Sequence, residues 1–262
     1  MPTSLNWPAT LPLPRRAGYR LKPLRMLSRS EADQGAARVR RRVTATLTEI
    51  PTVFAVDETQ AASFDSFLER EARHGEVWFN VSLLGPTGIA SHEARIKGET
   101  ELAYRGGVRW EISATFEVRD RPILSAAALD DLIGPPPVPL VWPAELPRPK
   151  RAGYAIKPRP DLLRSDGDFG LASARLRPGR EAEVALGFAL DAAEAAIFEA
   201  FLEHRARHGV AWFAIDLRSP HGTLPHMVRF KGDIELEFLG RDRWSVTAPV
   251  DMRDRPMVPA GD

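Results

Sequence analysis

Phe64-Asp65-Ser66-Phe67-Leu68-Glu69, running through Arg73-His74-Gly75 into Trp78-Phe79, occurs twice in this chain. The second copy is Phe198-Glu199-Ala200-Phe201-Leu202-Glu203, then Arg207-His208-Gly209 and Trp212-Phe213. Apolar residues three and four apart, closed by a glycine, predict the end of an amphipathic helix. The alternation after the glycine predicts a strand entering a sheet. A helix-to-strand corner used twice marks a duplicated module.

The duplication extends outward from that corner. Trp7-Pro8-Ala9, Ala17-Gly18-Tyr19 and Lys22-Pro23 return 135 residues later as Trp142-Pro143-Ala144, Ala152-Gly153-Tyr154 and Lys157-Pro158. From Asp57 onward the offset is 134, with about 30 identities in the 66 positions of Asp57–Pro122 against Asp191–Pro256. All six tryptophans form matched pairs: Trp7 with Trp142, Trp78 with Trp212, Trp110 with Trp244. The expected organisation is a first domain over 1–123, a Pro-rich linker over 124–140 and a second domain over 141–262, with a boundary near Pro135. Three successive prolines in the linker predict a semi-rigid spacer that holds the domains at a defined separation.

Within each copy a Pro-rich arm comes first, predicted to be extended and to dock on its own domain or a neighbour. Val43, Ala45 and Leu47 predict one strand and Ile50, Phe54 and Val56 a second, matched by Val184, Leu186, Phe188 and Leu190. Asp57 with Gln60, and Asp191 with Glu194, read as capping boxes. The stripe Ala61, Phe64, Phe67, Leu68 faces the core, and Gly75 stops the helix. A strand with Val77, Phe79, Val81 and Leu83 on one face puts Trp78 on the other. Loops of about nine residues, Gly85 to His92 and Ser219 to His226, follow. Two long strands then alternate around a Gly106-Gly107 turn, the first carrying Ile96, Gly98, Leu102 and Tyr104 on its apolar face. The fold class expected is α+β, mainly antiparallel β: two tandem β-sandwich or barrel domains, each with one packed α-helix.

The search for chemistry is mostly negative. The charge of +1, from 36 basic and 35 acidic residues, exerts no global pull on nucleic acid or anionic membrane. There are no cysteines, which excludes disulfides, thiolate metal sites and cysteine nucleophiles. No signal-peptide pattern and no apolar run near the ~20 residues of a membrane span occur, so the reading is of a soluble protein. No nucleophile elbow, His-Glu-x-x-His, Walker loop or dinucleotide fingerprint appears. His204 and His208 share a helical spacing that suits a metal, but Arg70 stands opposite His204 in the first copy. His74 and His208 sit where a cation suits a helix C-terminus. Arg119, Asp120 and Arg121 read as a structural ion-pair cluster at a sheet edge or subunit boundary. Glu99 and Glu101 read as solvent-facing. Arg38 to Arg42 is the local basic cluster that could touch phosphate, with a solvated or subunit-facing edge preferred. No catalytic, cofactor-binding or metal residue is assigned and no cofactor is expected.

Gly18-Tyr19, Phe67-Leu68, His74-Gly75, Trp110 and Phe116-Glu117, with Gly153-Tyr154, Phe201-Leu202, His208-Gly209 and Trp244, resemble the minor tail protein family of long-tailed bacteriophages typified by the tail-tip protein M of phage lambda. The sequence departs from that family by lacking acidic and glutamine-containing residues after Gly-Tyr and by carrying two copies. The resemblance implies a tail-tube-like domain that does no chemistry and assembles side by side into a ring, in the virion tail tip after synthesis in the host bacterial cytoplasm. Its partners would be copies of itself, the tail tube protein and the tail hub, without membrane or specific nucleic-acid binding. Three chains would supply six similar domains, a homotrimer with pseudo-sixfold symmetry, with a hexamer as the other possibility. Neighbouring domains would pair sheet edges, and the loops at Gly85 to His92 and Ser219 to His226 would make axial contacts. The rivals are a major tail tube protein of two fused tube domains, a nucleic-acid-binding protein using the Arg38 to Arg42 edge, and an enzyme.

Overall fold

The computed structural model describes residues 3–24, 27–30, 38–41, 47–159, 162–165, 173–176 and 181–254, with backbone alone at 41, 162–165 and 173–176. The first copy runs β1 (Arg20–Leu24), β2 (Leu27–Ser30), β3 (Arg38–Arg41), β4 (Leu47–Asp57), α1 (Glu58–Arg70), β5 (Phe79–Gly85), β6 (Gly88–Gly106) and β7 (Arg109–Arg119). A linker helix α2 (Ala126–Ile133) follows. The second copy runs β8 (Ala155–Pro158), β9 (Leu162–Ser165), β10 (Ser173–Leu176), β11 (Ala182–Ala185), β12 (Gly187–Asp191), α3 (Ala192–Ala200), β13 (Phe213–Ser219), β14 (Gly222–Phe230), β15 (Glu235–Gly240), β16 (Arg243–Thr247) and β17 (Val250–Met252). Every pair of named strands among the described residues is antiparallel, and the fold is α+β, mainly β, with curled sheets.

Each copy builds the same strip. In the first, β1-β4-β7-β6-β5 are neighbours, and β4 pairs with β7 along its whole length from Leu47↔Arg119 to Asp57↔Arg109. The two strands expected before the helix are one, β4, in the described part; Val43 and Ala45 lie outside the described residues. The second copy breaks the same strand at Leu186 into β11 and β12, which divides its sheet in two. The curl in β6 comes at a register shift between Lys97 and Glu101, where Gly98 has φ 72°. Beyond that bulge Leu102 is only half-buried and Tyr104 is 59% exposed, so the expected apolar face does not continue inward there.

The helices begin as the capping residues require. Asp57 accepts from the Gln60 N–H at 2.8 Å and Asp191 from the Glu194 N–H at 2.8 Å, each reciprocated by the N3 side chain. Their ends differ from expectation. Helix α1 stops at Arg70, before Gly75, and α3 runs on into a π-helical turn at Phe201–Arg205. Arg73 and His74 then adopt positive φ of 47° and 54°, and Arg207 and His208 of 50° and 56°. Gly75 (φ 92°) is demanded by proximity: a Cβ there would meet the Ile96 carbonyl oxygen at 2.1 Å.

The arm closes its own core. Residue 7 is tied to β5 by the Trp7 N–H to the Asn80 carbonyl (2.8 Å) and the Asn80 N–H to the Leu5 carbonyl (2.8 Å). The Trp7 indole stacks on Phe54 at 5.3 Å and meets Phe67 and Phe116 edge-on at 5.5 and 5.4 Å. Trp142 repeats this on Phe188, Phe201 and Phe213. Offset and edge contacts suit the ring quadrupoles, and each ring buries ~150–250 Å². The proline-rich chain suits this role because an extended segment offers few donors that a central ladder would have to satisfy.

No nine-residue loop exists at Gly85 to His92 or Ser219 to His226. Gly85 pairs with Gly88 and Ser219 with Gly222, leaving two-residue tips at Pro86-Thr87 and Pro220-His221. Positive φ at Gly88 (106°) and Gly222 (101°) makes these reversals possible. The short polar stretch Gly88-Ile89-Ala90-Ser91-His92 gave no strand signal of its own, but full-length pairing with β5 imposes one. Gly75→Ala should destabilise the fold by roughly 2–4 kcal/mol, whereas Gly88→Ala, strained but uncrowded, should cost roughly 1 kcal/mol. Urea unfolding midpoints compare them, and equal costs would contradict the close approach to Ile96.

Candidate functional site

The feature with the most built-in specificity is the junction between the two copies. Strand β1 pairs with its own β4 on one side and with β15 of the second copy on the other, at Arg20↔Glu237 and Leu21↔Leu236. The Phe238 N–H donates to the Tyr19 carbonyl at 2.9 Å. One sheet of eight strands, β12-β16-β15-β1-β4-β7-β6-β5, therefore crosses from copy to copy. Arg20 bridges Glu235 at 3.1 Å and Glu237 at 3.7 Å, Lys22 reaches Glu235 at 3.8 Å, and the Arg16 guanidinium lies 5.9 Å from the Phe238 ring centroid. Direct pairing, rather than the proline spacer, sets the relation between the halves.

Behind the strands lies a buried ion pair. Arg121 donates twice to Glu199 of α3, with Nη1 3.0 Å from Oε2, and both side chains are 2% exposed. Such a pair repays its desolvation only when geometry and hydrogen bonding are good, and so acts as a register pin more than as glue. The linker wraps the same helix. Leu129 of α2 is fully buried, Arg205 donates to Asp130 (2.8 Å) and to the Gly134 carbonyl, and His204 Nε2 lies 2.8 Å from the Leu124 carbonyl.

Covering α3 on both faces explains its composition. Ala195 through Ala200 are all buried, whereas in α1 only Ala61, Phe64, Phe67 and Leu68 are. Ser63, Asp65 and Ser66 of α1 occupy the places of Ile197, Glu199 and Ala200.

The residues singled out in the sequence fall in three places. Arg121 belongs to the junction, while Arg119 pairs with Glu93, holding that carboxyl below the usual range, and lies 4.5 Å from the Trp78 ring centroid. Arg95 lies 4.9 Å from the same ring centroid. Asp120 is exposed at φ 50°. Trp212 carries Arg229 at 4.7 Å, and Arg229 meets Asp251 together with Arg159 and, from β2 of the first copy, Arg29 at 2.7 Å. Arg38 to Arg41 form β3, hairpinned to β2, so the basic run belongs to the appendage that also carries Arg29; Arg42 lies outside the described residues. Glu99 and Glu101 are exposed.

His74 and His208 each meet the glutamate five residues earlier, Glu69 and Glu203, at 2.9 Å. His208 is buried against the junction, and the His74 side chain is 68% exposed. His204 and His208 point to different partners, and among the described residues no group of three or more His, Asp or Glu side chains is placed to hold a metal. No helix among the described residues is long and apolar enough to cross a membrane.

Sequence reasoning missed His92 and His226, a repeat-matched pair that is 4% exposed in each copy. Burial and then the Arg121 charge lower His92 to about 4, and burial lowers His226. Their sequence signal is the 134-residue match alone, in stretches whose own pattern predicts loops. Compared with known proteins, the chain matches no protein-family model and no curated protein.

Two outcomes follow from this geometry. Arg121→Met alone strands a buried carboxylate and should cost about 3–5 kcal/mol in urea unfolding, with most of it regained by adding Glu199→Met; a neutral single variant would refute the pin. His92 titrates near pH 6.5 when unfolded but near 4 when folded. Between those values the unfolded state binds more protons, so this contribution is whole above pH 6.5 and is lost as pH falls toward 4. His92→Gln should flatten the loss of unfolding free energy between pH 7 and 5 by about 1–3 kcal/mol, and an unchanged slope would show that His92 does not supply it.

Proposed function

We propose that the chain is a structural protein of a phage tail or phage-derived tail-like particle. It forms a ring at the tail tip that joins the tail tube to the hub and adsorption apparatus. The observation that carries the reading is the edge-to-edge pairing of β1 with β15, which joins two copies of one domain into a continuous sheet as neighbours in a ring would be joined. The resemblance of Gly18-Tyr19, Phe67-Leu68, His74-Gly75, Trp110 and Phe116-Glu117 to the minor tail protein family supplies the setting. Three chains give six domains around a channel, with true threefold symmetry toward the hub and pseudo-sixfold symmetry toward the tube. The reading assigns the protein no catalytic step, cofactor or metal. Its partners are further copies of itself, the tube protein and the hub.

A two-domain major tube protein is the second reading within the same structural class, since the same junction would serve stacked rings. Copy number separates the two. Peptide mass spectrometry of purified particles should find one ring of this chain per particle, and averaged electron micrographs should place it at the tip. Many rings per particle would favour the tube, and absence from particles would overturn both.

A further inference from the structure

The junction inside the chain uses one of two equivalent pairs of edges. Strand β8 is the counterpart of β1 and pairs with β11, but among the described residues nothing pairs with its other edge. The second half of β6, Glu101 to Gly106, is the counterpart of β15 and pairs with β7, and its outer edge is likewise without a partner among the described residues. Exposure follows pairing. Tyr19, Leu21, Leu236 and Phe238 are buried at the internal junction, at 2%, 0%, 0% and 4%, while their counterparts Tyr154, Ile156 and Leu102 are half-buried and Tyr104 is 59% exposed.

Most contacts across the internal junction translate through the repeat; the exception is Arg20 with Glu235, where Ala155 stands for the arginine and Glu101 is left to Lys157. Leu21↔Leu236 becomes Ile156 with Leu102, and Lys22 with Glu235 becomes Lys157 with Glu101. Arg16 over Phe238 becomes Arg151 with Tyr104. The ion pair Arg20↔Glu237 becomes Ala155 with Ala103, so that both charges are absent together. A lone charge facing alanine on a paired edge would be a mismatch, and cross-strand neighbours of this kind are what hold a sheet's register. Ala155 and Ala103 lie in different sheets of the chain, and nothing in its internal packing demands that they change together.

We infer that these two edges bind each other between chains: β8 of one copy of the protein adds antiparallel to Glu101–Gly106 of the next, with Ala155 opposite Ala103 and Ile156 opposite Leu102. The occupant is a second copy of this chain, and the contact is head-to-tail, so it propagates until the rotation closes a ring. It deepens the ring reading above and rests on it only for closure. The contact is smaller than its internal counterpart, because Ser63, Asp65 and Ser66 make the outer face of α1 polar where α3 is apolar.

The absence of cysteine makes the test direct. Ala155→Cys with Ala103→Cys, oxidised at about 1 mM chain so that even a millimolar contact is populated to roughly two-fifths, should give inter-chain disulfides ending in a closed trimer on non-reducing gels. Arg20→Cys with Glu237→Cys, the same register inside the chain, should oxidise without leaving monomer size. Adding the exposed change Tyr104→Lys, opposite Arg151, should abolish the inter-chain product. The inference is overturned if the Ala155/Ala103 variant stays monomeric while the internal control oxidises, or if Tyr104→Lys leaves the product unchanged. An open ladder without a closed trimer would support this contact and overturn the ring reading of function.

Discussion

An open sheet edge presents a row of backbone N–H and C=O groups that must find partners or stay in water, and this chain is organised by where those rows end. In the first copy β1 would be such an edge, and β15 of the second copy covers it. That pairing brings α3 under the first copy, where its outer surface must be apolar and its buried carboxylate, Glu199, must meet a cation. Arg121 meets it. The composition of α3 is thus a consequence of strand pairing some distance away, and the polar outer face of α1 accords with nothing equivalent covering it among the described residues.

The arm and the corner serve that arrangement by making each copy rigid. Trp7 and Trp142 fill the centre of their aromatic clusters from outside the sheet, so the helix, the sheet and the arm close on one ring system. The positive-φ pair before Gly75 brings the chain within van der Waals distance of β6 at Ile96, beside the curl. Beyond the bulge the second half of β6 stays paired with β7, while β5 pairs only as far as Ala94, so among the described residues its outer edge has no partner. Phe64, Phe67 and Gly75 are conspicuous in both copies because they fix this angle; their recurrence reflects packing and not chemistry.

How much of this was legible follows from how local each signal is. The capping boxes at Asp57 and Asp191 and the core stripe of α1 are written within a few residues, and the structure has them as read; the hairpin turn lies one residue later than Gly106-Gly107, at Gly107-Val108 between the paired Gly106 and Arg109. The strand at Gly88 to His92 was not legible, because its pairing is imposed by β5 and its own alternation is too short and polar to register. The same holds for His92, which is buried only once that strand exists. A glycine after a helix usually supplies the left-handed residue, so the sequence predicts the end of α1 at Gly75. Here Arg73 and His74 take that conformation first, and the glycine is needed for its missing Cβ. Arg121 was recognised as an ion-pairing residue, but its partner is 78 positions away in the other copy, and no pattern within one copy could name it.

Duplication also makes the two junctions unequal in a useful way. The internal one is formed by segments of one chain, so its partners meet at the high effective concentration that a short linker provides, and α2, Arg205 and the Arg121–Glu199 pair reinforce it. It forms as the chain folds. An external pairing of β8 with the second half of β6 lacks the linker and faces the polar side of α1, so it depends on concentration or on a surface that gathers the chains. Lys157 and Pro158 on the exposed strand β8 restrain adventitious edge pairing in the meantime, as charge and proline do on other open edges. A chain that folds completely yet joins its neighbours only when gathered suits a component incorporated once, at one place. An edge as adhesive as the internal junction would polymerise as soon as it was made.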